Sequence, residues 1–210
     1  MTATAAGSTI GTTPTDRTRT DDDTSLVVTR PAARRALALC RILLAAVFLW
    51  PVADKTFGLG YATPAERAWV EGSSPTAGYL GSIESPLAGG FAALSVPAVD
   101  WLFMLGMLGT GLALLLGIGL RVAAVAGGLI MLSLWLSTWP FAAGSQNPVV
   151  DQHLVFTALL AALALTRAGD TWGLGRAWAA SPDGPRVLLF RRPQDLEAWI
   201  ATLGPAADGA

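Results

Sequence analysis

The sequence predicts an all-α integral membrane protein, organised as a four-helix bundle with both termini in the cytoplasm. The chain is 52% hydrophobic and only 14% charged, with a mean hydropathy of +0.50. Two stretches, 101–120 and 122–139, have no charged residue and are separated by Arg121 alone. A helix needs roughly 20 apolar residues to cross the hydrocarbon core, where backbone groups must bond internally. A buried hairpin in a soluble protein is disfavoured because neither helix would have a polar face.

Four membrane spans are predicted, at about residues 36–55, 101–119, 122–139 and 152–168. Arg41 interrupts the first apolar run, and its long side chain is expected to reach the inner membrane surface. Pro51 is expected to kink the first helix, which continues to Lys55. Asp100 and Asp151 stand where the second and fourth helices begin, so we expect both carboxylates to cap free N–H groups.

The remaining segments flank or connect these spans. Residues 1–35 are rich in Thr, Ala and Asp and predict a disordered cytoplasmic tail, whereas 179–210 predict a cytoplasmic tail with a short amphipathic helix. The transmembrane domain therefore covers 36–178, with a long outer loop at 56–99. That loop has a capping-box pattern at 63–66 and a second helix start at 74–76, so it is expected to carry short helices.

The distribution of basic residues predicts the orientation. Most arginines lie in the N-terminal tail, at the Arg121 turn and in the C-terminal tail. The long first loop and the 140–150 connection have only Lys55 and Arg67 as basic residues. The positive-inside rule places the arginine-rich segments in the cytoplasm, which predicts a multi-pass protein of the plasma membrane. The net charge of −1 gives no indication of nucleic-acid binding.

Small residues recur every four positions in the second span, at Gly109, Ala113 and Gly117. Such stripes let helices approach closely in lipid, so they are interpreted as packing faces. A ligand-lined groove is the alternative.

Ionisable residues at or within membrane spans are the first functional candidates. The candidates for quinone binding or proton relay are Arg41, Lys55, Asp100, Asp151 and His153. Lys55, His153 and the carboxylates could hold a quinone head group at the outer ends of the spans. The structural alternative is that the aspartates cap helices, Lys55 pairs with one of them and His153 binds a loop carbonyl.

Motif and residue content narrow the possible chemistry. The single cysteine, Cys40, and the single histidine cannot form a disulfide or a Cys/His metal cluster. No phosphate-binding loop, nucleophile elbow, HExxH motif or dinucleotide fingerprint is present. We therefore expect no bound metal or flavin, and hydrolases and nucleotide-driven pumps are disfavoured.

Five groups of residues stand out along the chain: 41–44 with Phe48 and Lys55, 100–106, 117–121, 147–148 with Asp151 and His153, and 172–176. Together they resemble the DoxX family of small four-helix bacterial membrane proteins, and the loop after Gly60 resembles its actinobacterial branch. The resemblance covers about residues 36–178. This chain departs from it at 50–53, where many relatives place a glycine shortly before the lysine.

The resemblance implies a membrane subunit of a quinone-linked oxidoreductase assembly, related to thiosulfate or sulfur oxidation or to oxidative stress. Menaquinone would be the cofactor, and the soluble partners would be of the sulfurtransferase or superoxide dismutase type. Such a subunit would act as an enzyme only together with its partners. The alternative is a non-catalytic membrane anchor or assembly factor that recruits soluble proteins.

Overall fold

In a computed structural model, the residues described are 27–139, 141, 147 and 149–180, and all their regular structure is helical. The α-helices are α1 (Pro31–Phe57), α2 (Ala77–Gly81), α3 (Ala88–Ala92), α4 (Pro97–Leu116), α5 (Leu120–Thr138), α6 (Gln152–Leu165) and α7 (Gly175–Ala180). Three 3-10 turns span Ala65–Arg67, Trp69–Glu71 and Ala168–Asp170. The all-α prediction is confirmed for this part of the chain. Most of the predicted disordered tail, the amphipathic C-terminal helix and most of the 140–150 connection lie outside it.

Three of these helices, α1, α4 and α5, are long and apolar enough to cross a membrane. They contain 27, 20 and 19 residues. Much of their apolar surface faces outward: Leu43, Leu102 and Leu129 are 60%, 73% and 64% exposed. Contiguous apolar surface on this scale marks contact with lipid or a partner, and together with the helix lengths it indicates a membrane protein.

Helix α6 is apolar but shorter than the predicted fourth span of 152–168. It has 14 residues and ends at Leu165. Its length is therefore about 21 Å, against a hydrocarbon core of roughly 30 Å. Arg167 then adopts a left-handed backbone conformation with φ of 52°, and the turn Ala168–Asp170 follows. The helix thus ends with the apolar run at Leu165, three residues before the predicted end of the fourth span.

The four longest helices share one apolar core. At its centre, Phe48 of α1, Thr110 of α4 and Leu160 of α6 converge on Gly127 of α5, where an added Cβ would lie 2.7–3.1 Å from each of them. Most of the other buried core residues are Leu44, Ala45, Met107, Leu114, Met131 and Leu163. Gly127 therefore allows the helices to pack at this level.

The small-residue stripe predicted for α4 is only partly right. Gly117 is buried, but Gly109 is exposed and has no atom close to where its Cβ would be. The buried positions of α4 instead include Met107, Gly111 and Leu114, spaced three or four residues apart as a helix requires. Gly111, rather than Gly109, faces α1, where Leu49 occupies the space of a side chain.

Charged residues divide between the two ends of the helices. At the arginine end, α1 and α5 begin, at Pro31 and Leu120, and α4 and α6 end, at Leu116 and Leu165. Its described basic residues are Arg30, Arg34, Arg35, Arg41, Arg121, Arg167 and Arg176. At the loop end, α1 and α5 end, at Phe57 and Thr138, and α4 and α6 begin, at Pro97 and Gln152. Its described basic residues are Lys55 and Arg67. Most described acidic residues also belong to the loop end: Asp54, Glu66, Glu71, Glu84, Asp100 and Asp151. Asp170 is the one described acidic residue of the arginine end.

The 58–96 loop is structured, but not entirely as predicted. The capping-box pattern at Thr63 does not start an α-helix. A 3-10 turn follows Pro64 instead, and no side chain caps it. The prediction at Ser74 is confirmed: its Oγ accepts a hydrogen bond from the N–H of Ala77, where α2 begins. Helix α1 begins at Pro31, so the last five residues of the tail predicted as disordered are helical, and it runs through Pro51 to Phe57, two residues past Lys55.

Candidate functional site

Arg41 lies near the arginine end and is fully buried, at 0% exposure. Its Nη1 donates to the carbonyls of Leu114 and Leu115, the latter at 2.8 Å. Its Nη2 donates to the carbonyls of Thr171 and Trp172, at 3.3 and 2.8 Å. The first two carbonyls belong to the last turn of α4, where the helix supplies no donors. Arg41 therefore does not extend to the surface; it joins the end of α4 to the segment that follows α6.

Close backbone packing surrounds this guanidinium. A Cβ at Gly173 would lie 3.1 Å from Arg41 Nη2, and one at Gly117 would lie 3.2 Å from Nη1. Gly117 also has a φ of 75°, which side-chain-bearing residues rarely adopt. Three segments of the family resemblance, 41–44, 117–121 and 172–176, thus meet at Arg41. Of the three guanidinium nitrogens, only the buried Nε has no hydrogen-bond partner among the described residues.

Arg41 and Lys55 cannot serve one small site. They are 14 positions apart in α1, which corresponds to about 21 Å along the helix axis. Both Nη groups of Arg41 are engaged by backbone carbonyls. Arg41, predicted as a candidate for quinone binding or proton relay, is thus engaged in structural contacts at the end opposite to the other candidates.

Asp100 holds the loop against α4 instead of capping that helix. Helix α4 begins at Pro97, so Asp100 lies in its first turn, and the predicted cap is wrong. The buried carboxylate accepts hydrogen bonds from Ser74 Oγ at 2.8 Å and Thr76 Oγ1 at 2.5 Å. These hydroxyl partners were not identified from the sequence, because nothing in it links residues 24 and 26 positions away to Asp100.

Asp54 fastens the turn that follows α1. Its buried carboxylate accepts from the backbone N–H groups of Tyr61 and Ala62, at 3.3 and 3.1 Å. The adjacent Lys55 is half-buried, and its ammonium has no hydrogen bond or ion pair with any residue that the structure describes. The predicted pairing of Lys55 with Asp100 or Asp151 is therefore not formed there.

Asp151 caps α6, as predicted, and also holds the ring of His153. Its carboxylate accepts from the N–H groups of His153 and Leu154, at 2.9 and 3.2 Å, and its Oδ2 lies 2.6 Å from His153 Nδ1. Burial acts to raise the pKa of the Asp151 carboxyl, but these hydrogen bonds outweigh it and hold the pKa below its ordinary range. The ring binds this carboxylate and not a loop carbonyl.

This contact fixes which nitrogen of His153 is available for chemistry. A carboxylate can only accept, so Nδ1 carries a proton. In the neutral ring, Nε2 then has a lone pair, and it makes no hydrogen bond to a described residue. The carboxylate–imidazole arrangement orients a histidine for proton transfer. The partly buried ring is thus the best-prepared acid–base group of the described chain.

The five predicted site residues consequently fall into separate groups. Arg41 and Asp100 are engaged in structural contacts, Asp151 orients His153, and Lys55 and His153 retain unused hydrogen-bonding capacity. No hydrogen bond or ion pair joins Lys55 to His153 within the described ranges. The described part of the chain also contains no group of three or more His, Cys, Asp or Glu residues that could hold a metal ion.

No protein-family model matches the chain, and comparison with curated proteins and with solved structures finds no significant match. The resemblance to the DoxX family therefore stays a prediction from short segments.

Proposed function

We propose that this protein is a four-helix bundle that crosses the plasma membrane four times, with both termini in the cytoplasm. The division of charge supports this orientation, because basic residues favour the cytoplasmic side. Helix α6 and the Ala168–Asp170 turn would together form the fourth crossing, with the bilayer thinning slightly or Arg167 extending to the surface. Its packing along α5 supports its membership of the bundle.

We propose further that this membrane protein is a DoxX-like subunit of a quinone-linked oxidoreductase assembly. The observation that carries the proposal is the Asp151–His153 pair at the loop end. With Nδ1 held by the carboxylate, Nε2 can take a proton from a hydroquinone hydroxyl or, once protonated, return one to a quinone oxygen. The free ammonium of Lys55 would stabilise negative charge on a quinone oxygen.

The electron balance of this proposal requires a partner protein. Reduction of a quinone to its hydroquinone consumes two electrons and two protons. The chain can supply protons through His153, but a lone cysteine offers no dithiol couple. The two electrons would come from oxidation of a reduced sulfur compound of the thiosulfate class and would pass through a soluble partner to a menaquinone-type quinone. The family resemblance implies that this partner is of the sulfurtransferase or superoxide dismutase type.

Quinone retention in mild detergent tests this function. We expect quinone to co-purify with the wild-type protein and to be lost from the His153→Ala and Lys55→Ala variants. Arg67→Ala is the matched control, because it removes an exposed charge from the same end of the helices. Equal quinone content in all four proteins, or none in the wild type, would contradict the proposal.

A non-catalytic anchor or assembly factor is the second candidate, and the rigid loop favours it. Asp54 and Asp100 hold the 58–96 segment in shape, and this segment exposes Tyr61 and Val70. Exposed apolar side chains on a fixed loop suit a protein partner. Absence of quinone, together with a stoichiometric soluble partner that Tyr61→Ser and Val70→Ser release, would favour this candidate.

A further inference from the structure

A small cavity at the arginine end lies between the start of α1 and the segment after α6. Its apolar wall contains Val27, Val28 and Leu37, and its polar wall contains Arg34, Arg167 and Thr171. Its enclosed volume is only about 10 Å³. This is about the space that one water molecule needs, so a larger group cannot be enclosed and would have to bind at the mouth, against the polar wall.

Arg34 is held in the cavity wall with much of its guanidinium unused. Its Nε donates to Thr171 Oγ1 at 3.1 Å, and its two terminal nitrogens have no hydrogen bond to any described residue. The side chain is half-buried. A guanidinium tethered in this way has less conformational entropy to lose on binding an anion, and its terminal nitrogens match two oxygens of a phosphate.

The carboxylate in the cavity wall does not cancel this positive charge. Arg167 Nε lies 3.3 Å from Asp170 Oδ2, so these two residues neutralise each other and Arg34 remains as the excess charge. Arg167 adopts its pairing position from a left-handed backbone conformation, which is uncommon for residues other than glycine. The cavity is therefore net cationic on one wall and apolar on the other.

We propose that the mouth of this cavity binds the phosphate group of an anionic phospholipid of the cytoplasmic leaflet. Arg34 lies two residues before the run that begins at Ala36 and is uncharged apart from Arg41. This position places the cavity at the level where hydrocarbon meets head groups. Basic pockets at this depth recognise anionic lipid head groups. The apolar wall would contact the first part of the lipid chains while Arg34 binds the phosphate oxygens. This site is separate from the proposed quinone site at the loop end.

Lipid titration followed by native mass spectrometry tests the site. The full-length protein in neutral detergent is titrated with phosphatidylglycerol or with phosphatidylcholine, and bound lipid is counted. We expect Arg34→Gln to weaken phosphatidylglycerol binding about tenfold more than Arg35→Gln does. Arg35 is the matched control because it is exposed at the same end and does not line the cavity. Arg34→Lys keeps the charge but not the two-nitrogen geometry, so we expect an intermediate loss.

The outcomes separate this proposal from general electrostatic attraction. Equal losses in Arg34→Gln and Arg35→Gln, or no preference of the wild type for phosphatidylglycerol, would overturn it. Complete displacement of the lipid by millimolar inorganic phosphate would show that the site takes free phosphate and would overturn the lipid assignment. Far-UV circular dichroism verifies that each variant is folded. If Arg34→Gln does not fold, Arg167→Gln gives a second test of the same site.

Discussion

Replacement of Arg41 by methionine should markedly destabilise the arginine end. The change removes four hydrogen bonds to the carbonyls of Leu114, Leu115, Thr171 and Trp172. Interhelical hydrogen bonds in membrane proteins average about 0.6 kcal/mol, which gives roughly 2–3 kcal/mol in total. Carbonyls left without donors add to this loss, whereas removal of a buried charge offsets part of it. We expect the free energy of unfolding to fall by about 2–4 kcal/mol.

Two further variants make this measurement specific. Arg41→Lys retains the charge, but one nitrogen cannot reach both pairs of carbonyls, so it should recover at most about half of the loss. Arg35→Met is the control, since Arg35 is exposed and its expected change lies within about 0.5 kcal/mol. Reversible unfolding by sodium dodecyl sulfate in mixed micelles, followed by circular dichroism, gives the free energies. A loss below about 1 kcal/mol for Arg41→Met, or wild-type stability of Arg41→Lys, would refute the reasoning.

Other regions give equally specific expectations. Gly127→Val should lower the free energy of unfolding by about 1–3 kcal/mol, because even its Cβ would lie 2.7 Å from Thr110 Cγ2. Gly109→Ala should be neutral or slightly stabilising, because nothing lies near its added Cβ. The same unfolding assay compares the two variants, and equal effects would contradict the packing described. The pKa of Asp151 is depressed in the folded state, so its cap should stabilise α6 fully at neutral pH and lose this effect as the pH falls through and below about 4. Asp151→Ala should therefore reduce stability by about 1 kcal/mol near neutral pH and by less in acid; a difference that grows on acidification would have the wrong sign.

The sequence predicted the helices better than their contacts. The α4–α5 turn and the cap at Asp151 follow from local chemistry and were predicted correctly. The start of α4 was misplaced because Pro97 initiates the helix ahead of Asp100, the residue that was expected to cap it. The early end of α6 reflects the left-handed conformation of Arg167, for which an arginine gives no local signal.

The role of Arg41 was beyond sequence reasoning for a different reason. Its partners are backbone carbonyls, and every residue type has one, so no pattern identifies them. The same limitation applies to Asp100, because its Ser74 and Thr76 partners are set by how the loop folds back. Lys55 and His153 were selected as candidates because ionisable side chains are rare in apolar sequence. Only the fold separates them from the candidates that are engaged in structural contacts.

Cysteine labelling of intact cells tests most directly whether this chain crosses the membrane four times. In a Cys40→Ser background, Glu84→Cys places a thiol on the exposed 58–96 loop, and Ala210→Cys places one at the chain end. A membrane-impermeant maleimide should label the first in intact cells and the second only after permeabilisation. Labelling of Ala210→Cys in intact cells would contradict both the orientation and the fourth crossing.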